Sequence, residues 1–254
     1  MDLKTEQSPV ALITGAAKRI GAAIARNLSR AGYGVVLHAN HSRADADALA
    51  QEIERDGGRA SVVTGDLADA DALRRIVPAA SAPAPLTLLV NNASLFDEDD
   101  VTSMTRAGFE RTMAVNLTAP LFLAQAFAAQ APRNAGSSII NIVDQRVLRP
   151  TPKFFSYALS KASLHAATMT LAQVLAPLRV NAVAPGPTLP SPRQNGEQFA
   201  EQAALVPLGK GPSPADIAAA VVYLAGAHSV TGMTIAVDGG QHLAWRTPDT
   251  DIVE

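Results

Sequence analysis

The chain has 254 residues, of which 48% are hydrophobic, and its 23 acidic side chains nearly balance its 21 basic ones. This length and apolar content suit one α/β domain with a core on both faces of a sheet, and the charge lacks the basic excess of a nucleic-acid-binding protein. The chain has no cysteine, which excludes disulfides, thiolate metal sites and cysteine nucleophiles.

The first residues and the histidines give expectations about location and metals. Residues 1–7 lack the apolar core of a signal peptide, and no stretch approaches the ~18 apolar residues that a membrane span needs. The five histidines have no metal-ligand spacing. We therefore expect a cytoplasmic enzyme that has no metal site and binds neither membrane nor nucleic acid.

The first strand and helix of the chain enclose a glycine-containing turn. Val10–Ile13 is a short apolar strand candidate, residues 14–21 (TGAAKRIG) form the turn, and residues 22–28 have helical periodicity. Gly15 permits a tight turn, and Gly21 permits close packing of the helix on the sheet, so that backbone N–H groups can meet a diphosphate. Strand, turn and helix in this order are the context that a dinucleotide site requires.

Polar side chains near this turn indicate which dinucleotide binds. The pair Lys18-Arg19 stands in the turn, where it can bind an extra phosphate. The second strand, from Gly34, leads into His41-Ser42-Arg43, and no acid appears before Asp45. An acid at this point would bind the ribose 2′-OH of NAD and repel a 2′-phosphate. Its absence predicts NADP(H) as the cofactor.

Apolar and helical segments alternate along the rest of the chain. Residues 45–56 and 109–130 have helical spacing, with many alanines that permit close packing. The alternation predicts an α/β fold: one domain over residues 1–254, with a doubly wound parallel sheet of Rossmann type and helices on both faces. The other strand candidates are Arg59–Val63, Leu86–Val90, Ser138–Val143, Arg179–Val183 and Thr234–Val237.

Two residues four apart, Tyr157 and Lys161, indicate acid–base chemistry. On a helix, the phenol and the ammonium share one face. An unperturbed tyrosine has a pKa of about 10, and a fixed positive charge nearby lowers that pKa. We therefore expect Tyr157 to be a proton donor. The same spacing also occurs in an ordinary helix with an exposed lysine, so the other motifs are needed to support a catalytic interpretation.

Together these segments resemble the short-chain dehydrogenase/reductase family over nearly the whole chain, residues 10–243. The matching features are the glycine turn, the Asn-Asn-Ala turn at residues 91–93 after an apolar strand, Asn116, and the Tyr-x-x-x-Lys pair. The resemblance implies that Asp66 holds the adenine. It also implies that Asn116, through a backbone kink and a water, connects Lys161 to solvent.

The resemblance further implies the residues around the cofactor and the reacting atoms. Residues 186–212 are the expected substrate loop, and the expected assembly is a homotetramer. The catalytic set is Asn116, Asp144, Tyr157 and Lys161. The cofactor-binding set is Gly15, Lys18, Arg19, Ile20, Gly21, His41, Ser42, Arg43, Asp66, Leu67, Asn92, Ala93, Tyr157, Lys161, Pro185, Gly186 and Thr188.

One branch of the family, the pteridine reductases, is similar at further positions. Asp144 stands where most of the family has serine, and the branch shares this acid, the Lys-Arg insertion in the turn, and an aromatic residue at Phe96. The resemblance implies a dihydropteridine substrate in contact with Ser94 and Phe96, with Phe96 stacked on its ring. Reduction of a ring C=N bond needs a proton on nitrogen, and a carboxylic acid suits that transfer.

The sequence departs from these patterns in two places. Arg19 replaces the middle glycine of the family turn, and His41 stands where pteridine reductases tend to have arginine. Asp144 also has a structural interpretation, as the cap of the next turn or the partner of Arg146. Phe96 is equally consistent with a buried core residue, and the chain beyond Thr188 with a stiff connecting loop.

Two other functions stay open. One is reduction of a small ketone or a 3-oxoacyl thioester, although the acidic run at residues 97–100 would repel an acidic acyl carrier unless it is only a solvated loop. The other is a non-catalytic NADP(H)-binding regulator, in which Asp144 marks lost catalysis. The intact Tyr157, Lys161 and Asn116 argue against a pure sensor.

The segment 238–246 contains the only tryptophan, Trp245, and ends at Arg246. A large aromatic residue there suggests docking at a surface, and in similar tetramers this segment runs along the subunit interface toward a neighbouring active site. The alternative is that Trp245 closes the edge of its own sheet.

Overall fold

The computed structural model describes residues 8–82, 84–134 and 136–245. The strands of this part of the chain are β1 (Val10–Ile13), β2 (Gly34–Ala39), β3 (Arg59–Thr64), β4 (Leu88–Asn91), β5 (Ser138–Ile142), β6 (Arg179–Pro185) and β7 (Thr234–Val237). They form one parallel sheet in the order β3-β2-β1-β4-β5-β6-β7. The strand order reverses between β1 and β4, which is where doubly wound sheets bind nucleotides.

Helices cover both faces of the sheet. Ala11 and Ile13 of β1 pack in one core with α1, α2 and α8, whereas Leu12 packs in a second core with α3 and α5. Successive strand side chains point to opposite faces, so both faces of β1 are buried. The helices are α1 (Arg19–Arg30), α2 (Arg43–Arg55), α3 (Ala70–Ala80), α4 (Arg106–Met113), α5 (Ala119–Gln130), α6 (Phe155–Val174), α7 (Gly196–Ala204) and α8 (Pro214–Gly226).

The predicted fold class is confirmed, and the strand bounds differ by small amounts. β1 and β7 have the predicted bounds, β3 and β6 run further, to Thr64 and Pro185, and β5 stops at Ile142. β4 lies at 88–91 and not at 86–90. The Leu86 N–H bonds to the Gln130 side chain and the Thr87 N–H to the Val10 carbonyl, and both bonds lie outside the strand ladder.

The predicted helix at 109–130 is interrupted. α4 and α5 are joined by a π-helical turn, Ala114–Thr118. Pro120 explains the widening, because proline lacks the N–H that would bond the carbonyl of Asn116, and its ring clashes with that carbonyl in a regular α-helix. The turn is the backbone kink that the resemblance implies at Asn116.

One helical run in the described part of the chain, Arg106–Gln130, is long and apolar enough to span a membrane by length and composition alone. Core helices of similar length meet the same test, and 44% of the apolar window is buried here. Leu123 and Phe127 of α5 are fully buried against the sheet. The run is therefore weak evidence for a membrane span.

The predicted substrate loop, 186–212, contains a helix. Asn195 caps α7 by accepting a hydrogen bond from the Gln198 backbone, and the Gln198 side chain accepts one from the Asn195 backbone in return. This reciprocal cap satisfies two backbone donors that a short helix leaves unpaired.

Candidate active site

Two adjoining cavities lie at the carboxyl ends of the central strands. The cofactor cavity, of about 450 Å³, extends from the glycine turn to Phe96, and the substrate cavity, of about 170 Å³, surrounds Asp144. They share Arg19, Phe96 and Tyr157. The members of the predicted cofactor set that line the first cavity are Gly15, Lys18, Arg19, Ile20, Gly21, Asp66, Leu67, Asn92, Ala93 and Tyr157.

The glycines of the turn are required by close backbone contacts. Gly15 has φ +62, and a Cβ atom there would lie 2.9 Å from the Ala93 Cα. A Cβ atom on Gly21 would lie 2.2 Å from the Gly15 carbonyl oxygen. A side chain at Gly15 would push the turn away from Ala93, and one at Gly21 would push the start of α1 away from the turn.

Arg19 takes the backbone conformation of the glycine that it replaces. Its φ is +55, a left-handed conformation that costs an L-residue about 1–2 kcal/mol. The side chain lines both cavities, and its Nη2 donates to the Leu189 carbonyl of the substrate loop at 3.4 Å. The guanidinium therefore lies at the boundary between the cofactor cavity and the substrate cavity.

His38 of β2 contacts this turn and is a residue that sequence reasoning missed. Its Nδ1 accepts from the Gly15 N–H at 3.3 Å, and its Nε2 donates to the Gly65 carbonyl at 3.0 Å. Burial lowers the pKa of His38, which favours the neutral ring that this bonding pattern requires. His38 thus ties the glycine turn to the end of β3.

Asn92 and Ala93 are fixed to the same turn by Thr14. The Thr14 hydroxyl accepts from both backbone N–H groups, at 2.9 and 3.0 Å, and donates to the Val90 carbonyl. The Asn92 side chain donates to the carbonyls of Thr14 and Gly15. The predicted Asn-Asn-Ala turn is therefore bonded directly to the glycine turn.

Of the predicted phosphate-binding side chains, Lys18 and Arg19 line the cofactor cavity, whereas His41, Ser42 and Arg43 do not. Lys18 pairs with Asp45 at 2.9 Å and Arg43 with Asp47 at 3.4 Å, all largely exposed. The segment His41-Ser42-Arg43 lies just beyond the lining residue Asn40, and the Ser42 side chain makes no capping bond to α2. Such surface ion pairs contribute only about 0–1 kcal/mol, so a phosphate can replace them.

Asp66 is held as a carboxylate at the adenine end implied by the resemblance. It accepts from the Ala68 N–H at 2.9 Å and from Arg111 at 2.9 Å. These hydrogen bonds, the backbone bond first, lower the pKa of Asp66. Arg111 also lines the cavity and was not predicted.

The predicted catalytic pair, Tyr157 and Lys161, lies on α6, and both side chains are buried. The Tyr157 hydroxyl donates to Asp144 Oδ2 at 2.8 Å. Lys161 Nζ donates to the Ile142 carbonyl at 2.8 Å and lies 5.8 Å from the Tyr157 ring centroid. The phenol therefore bonds to the acid upstream and not to the ammonium.

The expectation that Lys161 lowers the pKa of Tyr157 is wrong in this structure. Burial raises the pKa of Tyr157 well above its usual value, and the charge of Asp144 and the bond to it raise it further. Burial also lowers the pKa of Lys161 to about 8, although the negative charge of Asp144 acts to raise that pKa. Tyr157 thus keeps its proton at neutral pH, which is the form that a donor needs.

Asp144 has both of the structural roles considered and also contacts Tyr157. It caps the turn at 145–147 by accepting from the Arg146 N–H at 2.8 Å, and it pairs with the Arg146 guanidinium at 3.1 Å. Asp144 accepts each of these hydrogen bonds. Asp144, Arg146 and Tyr157 form one bonded cluster in the substrate cavity.

Asn116 lies beneath the site, in the π-helical turn. Its side chain exchanges two hydrogen bonds with the Leu95 backbone and donates to the Ser160 hydroxyl at 3.1 Å. Ser160 directly precedes Lys161 on α6. Asn116 therefore joins the loop that carries Phe96 to the helix that carries the catalytic pair.

Aromatic side chains form one wall of the substrate cavity. Phe96 stacks on Phe154 at 4.3 Å between ring centroids and meets the Tyr157 ring edge-on at 4.6 Å. Arg146 and Arg193 are each nearly equidistant from the two stacked rings, at 5.2–5.4 Å, so each lies beside the stack and not on an outer face. Phe154 covers one face of Phe96, and Tyr157 contacts the same ring.

The remaining predicted site residues lie apart from the cofactor cavity or at its rim. Pro185 and Gly186 line the substrate cavity, whereas Thr188 is buried and donates to the Gly186 carbonyl. Ser94 is exposed, lines the cofactor cavity and donates to the Leu95 carbonyl. Gly186 is required, because a Cβ atom there would lie 2.6 Å from the Asp238 Cα.

Part of the acidic run has a structural role that was not predicted. Asp99 accepts from the Ser156 N–H at 3.0 Å and from the Ser156 hydroxyl, and its carbonyl accepts from the Phe155 N–H. Asp99 therefore caps α6 from another loop, next to Tyr157. The other three acids, Asp97, Glu98 and Asp100, are exposed.

The carboxyl-terminal segment reaches the substrate cavity through Gln241. Buried Asp238 accepts from the backbone of Gly240 and from His242, which orders this turn. Trp245 is 75% exposed, so the alternative that it closes its own sheet edge is wrong. Arg246 lies outside the described residues.

Comparison with known proteins agrees with this geometry. A family model described as enoyl-(acyl carrier protein) reductase matches residues 15–242. An uncharacterized oxidoreductase of Methylorubrum extorquens is 37% identical, over 92% of this chain and 98% of that protein.

Two solved structures extend the comparison. FolM alternative dihydrofolate reductase 1 from Brucella suis, in complex with NADP, is 47% identical with a TM-score of 0.91, covering 96% of this chain and 98% of that one. A short-chain dehydrogenase/reductase from Serratia marcescens is 32% identical with a TM-score of 0.87, covering 93% and 98%. The predicted cofactor, NADP(H), is the one that the Brucella structure holds. The chain is an oxidoreductase that belongs to the short-chain dehydrogenase/reductase family.

Proposed function

We propose that this enzyme reduces a dihydropteridine with NADPH. The observation that carries the proposal is the 2.8 Å hydrogen bond from the Tyr157 hydroxyl to Asp144, in a cavity that also holds Phe96. A ketone reductase needs no carboxylate at this point, whereas protonation of a ring nitrogen does use one. The similarity to a structure named as an alternative dihydrofolate reductase supports the same substrate class.

The residues around the cofactor cavity fit NADP(H). Gly15 and Gly21 permit the tight turn that lines the cavity, and Asp66 offers a carboxylate at the adenine end. Lys18 and Arg43 hold positive charge at the outer end, in exposed pairs that a 2′-phosphate can replace. When bound, NADPH would supply a hydride to the carbon of the ring C=N bond.

Asp144 and Tyr157 would act together as the proton source. The pair holds one proton, on the phenol, and transfer of that proton to the ring nitrogen adds one negative charge to the pair. Arg146, 3.1 Å from Asp144, and the buried Lys161 stabilise that charge. A proton from solvent then restores the pair, so that each turnover consumes one hydride and one proton.

Substitution of Asp144 tests this proposal. Asp144→Asn keeps the shape but removes the charge, and we expect dihydrobiopterin reduction to fall by about 10²-fold or more. Asp144→Ser restores the residue usual in the family, and reduction of a simple ketone should persist or rise, because Tyr157 alone donates there. Both rates are followed as NADPH oxidation.

Two results would point to another function. An Asn variant that reduces dihydrobiopterin at the wild-type rate across pH 5 to 8 would make Asp144 structural and leave a carbonyl reductase. NADPH binding without turnover of dihydrobiopterin, dihydrofolate, dihydromonapterin or simple ketones would favour a regulator.

We also propose that the enzyme is a homotetramer. Exposed apolar side chains occupy two surfaces: Phe122, Leu159 and Met169 on α5 and α6, and Met233 and Trp245 around the end of β7. Two different self-complementary interfaces generate a tetramer with dihedral symmetry. Deletion of residues 244–254 should loosen the oligomer or raise the substrate KM, and an unchanged sedimentation coefficient with unchanged kinetics would contradict it.

A further inference from the structure

A third cavity continues outward from the substrate cavity. It has a volume of about 320 Å³, is bounded by Gln145, Arg146, Arg149, residues 150–152 and Gln241, and is named here the tail cavity. Gln145, Arg146 and Gln241 line both cavities. A ligand that contacts Asp144 can therefore extend along these shared side chains into the tail cavity.

Two polar atoms at this junction are buried and unpaired. Gln145 is only 8% exposed, and its Oε1 has no hydrogen-bond partner among the described residues. Arg146 Nε is likewise buried without a partner in the described part of the chain, although the rest of that guanidinium binds Asp144. Unpaired buried groups are destabilising, so this acceptor and this donor favour a ligand that offers a partner to each.

The tail cavity is also positively charged. Arg149 is exposed, and its side chain makes no hydrogen bond or ion pair with any described residue. The residues that line the cavity include no acid. The tail cavity therefore favours a ligand with an anionic group within reach of Arg149.

We propose that the tail cavity binds the amide- and carboxylate-bearing tail of a folate-type substrate. The inference rests on the proposed pteridine reductase function and extends it to dihydrofolate. Gln145 and Arg146 supply an acceptor and a donor for an amide, and Arg149 pairs with a carboxylate farther out. A pteridine with a short uncharged side chain fills the substrate cavity without using Arg149.

Kinetics of an Arg149 variant test this subsite. Arg149→Gln should raise the KM for dihydrofolate by about fivefold to tenfold, as the loss of one ion pair allows, and change the KM for dihydrobiopterin by less than twofold. Arg149→Lys should retain most of the dihydrofolate affinity. Arg75→Gln, an equal charge change at an exposed position of α3, controls for long-range attraction.

Equal KM changes for the two substrates, or the same effect from Arg75→Gln, would overturn the proposal. A binding measurement separates it from the failure of pterin reduction. Calorimetric titration of p-aminobenzoyl-glutamate into the NADP⁺ complex should give heat with the wild type and a weaker signal with Arg149→Gln. Binding that is lost in the variant supports the subsite even if no pterin is reduced, whereas no binding to the wild type refutes it.

Discussion

The cofactor cavity and the substrate cavity are built in different ways. The first is lined mainly by backbone at the ends of parallel strands, where Thr14 and His38 tie the turns together. The second is made by side chains from separate loops, such as Phe96, which Phe154 and Arg193 hold in place. Substitutions in the first should change cofactor affinity, whereas those in the second should change turnover and substrate range.

The largest expected effect that tests this separation is that of Tyr157→Phe. The phenyl ring keeps the edge contact with Phe96, but the proton of the Asp144 pair is lost. Turnover should fall by about 10²–10⁴-fold, and the dissociation constant of NADPH, measured by fluorescence titration, should stay nearly unchanged. A variant that keeps more than about a tenth of the wild-type rate would exclude Tyr157 as the donor.

Lys161 should make stability depend on pH. Its folded-state pKa is lowered to about 8, so between pH 8 and about 10 the unfolded lysine binds a proton that the folded one does not. Stability should therefore rise across this window, by something on the order of 2 kcal/mol. Below pH 8 both forms are protonated and this dependence vanishes.

Lys161→Met provides the check on that dependence. Denaturant unfolding of the variant should lack the rise between pH 8 and 10, although its catalysis is lost. Above about pH 10, the raised pKa of Tyr157 acts in the opposite direction, because the folded phenol keeps a proton that the unfolded phenol releases. An equal rise in the variant and the wild type would assign the effect to another group.

Arg19→Gly should separate stability from binding, because Arg19 lies between the two cavities. Glycine accepts φ +55 without strain, so the free energy of unfolding should increase by about 1 kcal/mol, less any entropy that glycine adds to the unfolded chain. The lost guanidinium should weaken NADPH binding by roughly tenfold. Lower stability and unchanged NADPH affinity would contradict both expectations.

Motifs that are local in sequence could be predicted. The glycine turn, the strands and the Tyr-x-x-x-Lys pair each depend on neighbours within one element. Pro120 also carried a usable signal for the kink at Asn116, since it cannot bond the carbonyl four residues earlier. The pKa argument for Tyr157 failed because it counted the charge of Lys161 but neither burial nor the bond to Asp144.

Contacts between distant segments could not be predicted. Asp99 caps α6 across 57 residues, and Arg193 bonds the Phe96 carbonyl across 97. No local pattern distinguishes these side chains from solvated ones, because their partners meet only after the sheet has brought the loops together. The substrate cavity is built from such contacts, which is why the substrate is harder to infer than the cofactor.

The smallest expected effect belongs to Arg43→Gln, at the outer end of the cofactor cavity. Arg43 is exposed and forms an ion pair with Asp47 at 3.4 Å. Its net contribution to the free energy of binding a 2′-phosphate should therefore be about 1 kcal/mol or less. The dissociation constant of NADPH should rise by about threefold to fivefold at moderate salt, while that of NADH, which lacks the phosphate, should not move. The wild type should bind NADPH more tightly than NADH, and equal dissociation constants for the two would refute the phosphate site. Because salt screens exposed charges, the difference between variant and wild type should shrink as ionic strength rises, whereas the Tyr157→Phe effect in the buried site should not.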